Sequence, residues 1–328
     1  MDTRLLRSFL AVVRTGGMTS AAAEQGFVQS TITAHVQALE RLTGARLLER
    51  RSGGVVPTLA GSLLAERARQ LLDLEERMLA ELTAEAGRLA GPVRLCAPDS
   101  VCAYQLAPLL PELRTRFPDV QLSLSPATTR AALAALADHS TDLALVLEPS
   151  ADPPDAHVTG LAVQELVLVG AAVTDLPRNR PLAPAELAAA GVLLLEEGCS
   201  YSDELAGLIA DVAPQTIPSR FGSIETVKRC VEAGLGLALL PAVTVAGELA
   251  EGRLAALQPP PIAPQRLWLA RHRSRWLPPA AEAVHATLAD LLQDSHDSST
   301  RAVIPELQVS AGGGGMLRSR TRPGSGRG

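Results

Sequence analysis

Aromatic side chains make up only 2% of this 328-residue chain. Stacking on single-stranded nucleic acid needs a run of such rings, so that mode of binding is not expected. Lysine is nearly absent. Lys228 stands alone against 29 arginines, a bias that suggests a GC-rich genome and says nothing of a ligand. Four cysteines (Cys96, Cys102, Cys199, Cys230) lie scattered without CxxC spacing, which argues against a zinc site or a disulfide framework. None of the six histidines falls at a metal-binding or catalytic-triad spacing, so neither metal, cofactor nor enzymatic activity is expected. No apolar run reaches 18 residues, which excludes an ordinary membrane-spanning helix. Met1-Asp2-Thr3-Arg4 leads straight into an amphipathic pattern, without a signal peptide, so a cytoplasmic location is expected.

The charge is unevenly distributed. Against a total of −5, residues 1–60 carry +3, residues 301–328 carry +4, and the rest carries −12. A basic head on an acidic body fits a duplex-DNA module joined to a soluble sensor. Within the head, Ser20 to Glu24 reads as a short alanine-rich helix that Gly26 interrupts. A second helix follows from about Gln29 to Leu42, with Ile32, Val36 and Leu39 on one face. Two helices joined by a tight turn form a helix-turn-helix pattern. The open face of the second helix would present Gln29, Ser30, Thr31, Thr33, Ala34, His35 and Gln37, with Ser20 on the helix before it. A two-helix hairpin with a solvated polar face is the plainer alternative.

After Gly44, Arg46 to Pro57 reads as a β-hairpin with a Gly-Gly turn, a wing with Arg50 and Arg51 beside its tip. These arginines suit phosphate contact or minor-groove insertion, or else form a solvated pair. Thr58 to Leu89 then reads as one long helix capped by Thr58, with Leu63, Leu64, Leu71, Leu72, Leu74, Met78, Leu79, Leu82 and Leu89 in an apolar seam that needs a partner helix. From Val93 strands and helices alternate, which predicts an α/β region with a largely parallel sheet. Residues 295–328 are Gly/Arg/Ser-rich toward the end and are expected to be disordered.

Several elements, in order, resemble the LysR-type transcriptional regulators. They are Leu6-Arg7-Ser8-Phe9, Gly17-Met18-Thr19-Ser20-Ala21-Ala22, Val28-Gln29-Ser30-Thr31-Ile32-Thr33, Leu42-Thr43-Gly44-Ala45-Arg46-Leu47-Leu48-Glu49-Arg50 and Pro57-Thr58-Leu59-Ala60-Gly61. Two positions depart from the family, which often has proline where Ser30 stands and arginine where Ala34 stands. The resemblance implies a winged helix-turn-helix DNA-binding domain at 1–58 and a linker and dimerisation helix at 59–91. It further implies a two-lobed α/β effector domain at 92–294, like a periplasmic binding protein, with lobe I at 92–163 and 266–294 and lobe II at 164–265. Double-stranded DNA, a small-molecule effector and a second copy (a homodimer or homotetramer) are the implied partners, with RNA polymerase a further candidate. An effector would then bias lobe closure, and with it how dimers assemble and space or bend the DNA.

Ligands of open α/β sheets sit at the carboxyl ends of strands, near helix starts. The family's cleft is built from such positions, so the resemblance implies effector contacts at Ser100, Cys102, Thr129, Ser200, Tyr201 and Ser223. Hydroxyls and open N–H groups there suit a small anion such as a carboxylate. Each could equally be a plain helix cap. Cys199 invites a redox reading, since peroxide-sensing members use a cysteine pair in the second lobe, but no cysteine follows it before Cys230. The rivals are a small-molecule-binding protein without sequence-specific DNA recognition, a transport solute receptor and an enzyme. The last would need an acid, base and nucleophile set that the sequence does not offer.

Overall fold

The structure is a computed structural model, and it describes residues 2–85, 88–215 and 217–299. The chain begins with three helices: α1 (Thr3–Thr15), α2 (Met18–Gln25) and α3 (Gln29–Thr43). Asp2 caps α1 by accepting from the Arg4 N–H, and Gly16, Gly26 and Gly44 end the three helices in left-handed conformation, where a Cβ is costly. Leu6, Phe9 and Val12 of α1 and Ile32, Val36 and Leu39 of α3 are fully buried, while α2 contributes small Ala21 and Ala22 at the close crossing. The wing pairs β1 (Leu48–Arg51) with β2 (Gly54–Pro57). Its turn is Ser52-Gly53 rather than Gly-Gly. Gly54 already pairs with Arg51, because its φ of 130° brings the strand against α1, where the Val55 N–H donates to the Gly16 carbonyl at 2.7 Å.

Helix α4 (Leu59–Glu85) stops short of the expected Leu89 but still spans about 40 Å. Thr58 caps it, accepting from the Gly61 N–H at 3.0 Å while donating to the Arg46 carbonyl at 2.7 Å. Gly61 is required by packing, since a Cβ there would lie 2.0 Å from the Leu47 carbonyl oxygen.

The remainder forms two lobes. The elements of the first are β3 (Gly91–Ala97), α5 (Asp99–Val101), a π turn and a 3-10 turn over Cys102–Leu109, α6 (Leu110–Arg116), β4 (Val120–Pro126), α7 (Thr129–Ala137), β5 (Leu143–Glu148) and β6 (Ala156–Gln164). The chain crosses into β7 (Leu166–Ala171), α8 (Pro184–Ala190), β8 (Leu193–Leu195), α9 (Ser200–Val212), β9 (Ser219–Phe221), α10 (Ile224–Glu232), β10 (Ala238–Pro241), α11 (Ala242–Ala250) and β11 (Leu254–Leu257). It returns through β12 (Gln265–His272) to α12 (Pro279–Ser299). The first lobe holds a five-stranded sheet, β4-β3-β5-β12-β6, parallel at one side and antiparallel along β12. The second holds an antiparallel sheet, β10-β7-β11, and a parallel pair, β8-β9.

Largely parallel pairing is therefore corrected to a mixed arrangement. In the first lobe β12 returns from the other lobe without a helical crossover, so it can run antiparallel to its neighbours. The π and 3-10 turns over 102–109 precede α6, and Pro108 and Pro111 each remove a backbone donor there. Helix α12 continues to Ser299, past the Leu292 at which the apolar pattern ends, because adding turns to a formed helix costs little. The expectation of disorder otherwise falls on residues outside the described ones.

Candidate DNA-reading face and effector cleft

On α3, Gln29, Ser30, Ala34 and Gln37 are exposed, on the side opposite the buried Ile32–Val36–Leu39 stripe. Thr31 and Thr33 are half-buried, and the Thr33 hydroxyl is bonded back to the Gln29 carbonyl at 2.9 Å. His35 turns toward α1. Its Nδ1 lies 2.8 Å from the Ser8 hydroxyl and its ring meets Phe27 edge-on. Ser8 is buried, so this contact anchors the helix rather than extending the open face. Ser20 is exposed on α2. On the wing, Arg50 is exposed, whereas the Arg51 Nε donates to Glu49 at 3.0 Å, which leaves Arg50 the better placed for a phosphate. Phe27 and Val28, exposed in the turn before α3, were not anticipated; two apolar residues in a turn carry no pattern that marks them.

The cleft between the lobes gathers Ser100, Thr129, Ser200 and Tyr201, together with Asp99, Thr128, Leu147, Glu196 and Gly198. It does not gather Cys102 or Ser223. The Cys102 thiol points to the Ala97 carbonyl, 3.4 Å away in the first lobe's core, and burial pushes its pKa up to about 11. Ser223 precedes α10 without a side-chain cap bond and lies outside the lining. Tyr201 borders the cleft yet is buried in the second lobe's core beside Cys199, and burial raises its hydroxyl well above the ordinary range. The plain cap reading belongs to Thr128, which accepts from the Ala131 N–H, and not to Thr129. Ser200 reaches across the lobes instead, 2.8 Å from Gln265 Oε1 and 3.2 Å from the Leu147 carbonyl.

One further residue shapes this cleft. Burial raises Glu148 at the end of β5 above the usual carboxylate range, although the Thr129 and Ser200 hydroxyls partly stabilise its charge. Spacing gave no sign of it, since it ends an otherwise apolar strand. A second link between lobes lies outside the cleft lining. Lys228, 3% exposed, donates to the Tyr104 hydroxyl at 2.6 Å and pairs with Glu225 at 2.9 Å and Glu248 at 2.7 Å. Burial alone would lower its pKa, but these three partners outweigh that and raise it. The cleft is nearly shut, with a cavity of about 30 Å³, room for roughly one water.

A reading head on a long helix, followed by two lobes with a cleft, is an arrangement that the family models match directly. Residues 3–62 match the bacterial regulatory helix-turn-helix protein, lysR family, and residues 86–293 match the LysR substrate binding domain. The chain belongs to the LysR family. As a LysR-type protein it is a DNA-binding transcriptional regulator with an effector-binding domain, and such regulators act as oligomers. It is 29% identical over 279 residues to YwqM of Bacillus subtilis (strain 168), named as an uncharacterized HTH-type transcriptional regulator, covering 84% of this chain and 94% of that one. Its fold is similar to full-length OxyR from Pseudomonas aeruginosa (a variant protein), at TM-score 0.64 and 22% identity, with 89% of this chain and 95% of that one covered. It is also similar to full-length CbnR complexed with its target DNA, at TM-score 0.53 and 22% identity, with 89% and 100% covered. Among the described residues, no helix is long and apolar enough to cross a membrane.

Proposed function

We propose that this LysR-type regulator reads duplex DNA with Gln29, Ser30, Ala34 and Gln37 of α3, steadied on the phosphates by Arg50 of the wing. One observation carries this reading: α3 buries one face completely against α1 and leaves a neutral, hydrogen-bonding face open. The CbnR neighbour holds DNA with the same fold, which supports docking through this helix. Without arginine at position 34, hydrogen bonds rather than a bidentate guanidinium carry the base reading. The protein acts in the cytoplasm, where its DNA is, and performs no catalysis. Its working parts are residues 1–58 for DNA, 59–91 for pairing and 92–294 for the effector.

The effector enters between the lobes, beside Ser100, Thr129 and Ser200. Asp99, Glu148 and Glu196 surround that place, so a ligand presenting hydrogen-bond donors or positive charge fits better than the anion the hydroxyls alone suggest. The 30 Å³ cavity requires the lobes to part before a ligand enters, and their reclosure on it supplies the switch. Footprinting on the DNA upstream of the protein's own gene, at defined salt, tests the reading face. Ala34→Glu sets a carboxylate against the DNA and is expected to weaken protection at least tenfold, about 1.4 kcal/mol. Protection by the variant equal to that of the wild type would place the reader elsewhere.

A further inference from the structure

A cavity much larger than the cleft between the lobes lies elsewhere. About 720 Å³ lies open where α1, α4 and the start of the first lobe meet, a volume within the usual range for small-molecule sites. Five arginines line it, Arg7, Arg14, Arg69, Arg94 and Arg275, together with the carboxylates Glu24, Asp73, Glu76 and Asp138. Four of the arginines have carboxylate partners. Arg7 pairs with Glu75 at 2.8 Å, Arg14 with Glu24, Arg94 with Asp142 at 2.9 Å, and Arg275 with Glu76 at 2.7 Å. Arg69 differs. Among the described residues it meets no hydrogen-bond or carboxylate partner, and its Nε is buried. Burying part of a guanidinium unpaired is costly, and a bound carboxylate or phosphate would answer it through paired N–H donors.

A second copy docked along the exposed apolar stripe of α4 does not account for the charged part of this space. Arg69, Leu72, Asp73, Glu76 and Ala80 recur at helical spacing on the cavity side of α4. Most of the exposed apolar residues that await a partner helix, Leu63, Leu71, Leu74, Met78 and Leu82, lie on another face of the same helix, while Leu79, also exposed, lines the cavity. We propose that the cavity at the junction of α1, α4 and the first lobe is a second ligand site, for a small molecule whose single carboxylate or phosphate is held by Arg69, distinct from the cleft. Its walls come from the DNA-reading head, the linker helix and the effector domain. A bound anion therefore ties all three in one relative position, and by linkage its affinity depends on that position.

Calorimetric titration of the full chain at constant ionic strength, with citrate and with inorganic phosphate as probes, tests this. Saturable binding is expected. Arg69→Met keeps helix propensity and stem volume and should weaken it at least tenfold. Ala80→Trp, which fills the cavity without touching a charge, should do the same, while Thr129→Ala in the cleft should leave it unchanged. The citrate and phosphate arms separate a carboxylate ligand from a phosphorylated one. Binding that survives both cavity variants, binding lost in Thr129→Ala, or the absence of saturable binding with either probe would overturn the proposal.

Discussion

Glu148 shows how one residue sets the chemistry of a cleft. Its folded pKa lies above the ordinary carboxylate value, mainly through burial, so between the two values the folded state binds more protons than the unfolded state. Stability from this group is present at low pH and falls as pH rises through that window. Glu148→Gln removes the buried charge. It should raise the melting temperature at pH 7.5, with a smaller gain at pH 4, measured by calorimetry at both pH values; an equal or opposite difference would contradict the burial argument. Cys199 has the opposite lesson for redox chemistry. Burial pushes its thiol up to about 12, so almost none is thiolate near neutral pH. Alkylation by iodoacetamide of the native protein, followed by mass spectrometry, should modify Cys199 at least about 100-fold more slowly than a free thiol. Rapid labelling at pH 7.5 would reopen peroxide sensing.

At the scale of elements, the tight joint between the head and α4 turns on Gly61. The segment Pro57-Thr58-Leu59-Ala60-Gly61 looked like a family signature in sequence, and the packing gives the reason: the first turn of α4 lies directly on the Leu47 carbonyl. Gly61→Ala forces a Cβ to within 2.0 Å of that backbone oxygen unless one element moves. A cost of about 2–3 kcal/mol is expected, seen as a lower denaturation midpoint with weakened DNA protection. A substitution with no effect on either would mean that the joint yields freely. The recognition helix was legible in sequence because its apolar positions repeat at 3.6-residue spacing. The inward turn of His35 was not, since a histidine beside a polar face gives no sign that a buried Ser8 waits on another helix.

At the scale of the whole molecule, α4 shows Leu74, Met78 and Leu82 at 55–68% exposure along one stripe, too much apolar surface for an unpaired helix. Leu74→Glu together with Met78→Glu should convert the oligomer into monomers in analytical ultracentrifugation at micromolar concentration, and footprints should be lost with it. An unchanged sedimentation coefficient would place the interface on another surface. The same helix couples the head to the sensor on its other side, through Arg275, whose guanidinium is almost fully buried and bonded to Asp73 at 3.1 Å and Glu76 at 2.7 Å. Movement of the lobes is therefore transmitted to a rigid rod and not to a slack tether.

By itself, the sequence determined the local features: the turn glycines, the amphipathic faces of α1 and α3, the capped start of α4 and the alternation of strands and helices. Each depends on residues within a few positions of one another, so spacing and residue type suffice to show it. Tertiary structure alone decided which hydroxyls share the cleft, that Cys102 and Ser223 stand outside it, and that Glu148 and Lys228 meet residues from the other lobe. It also set the antiparallel returns of the sheets and opened the arginine-lined cavity at the junction. Those outcomes bring together groups 50 to 200 residues apart, as with Ser200 and Leu147 or Arg275 and Asp73. Contacts at such separation arise from how whole elements stack, and no local period in the chain records them.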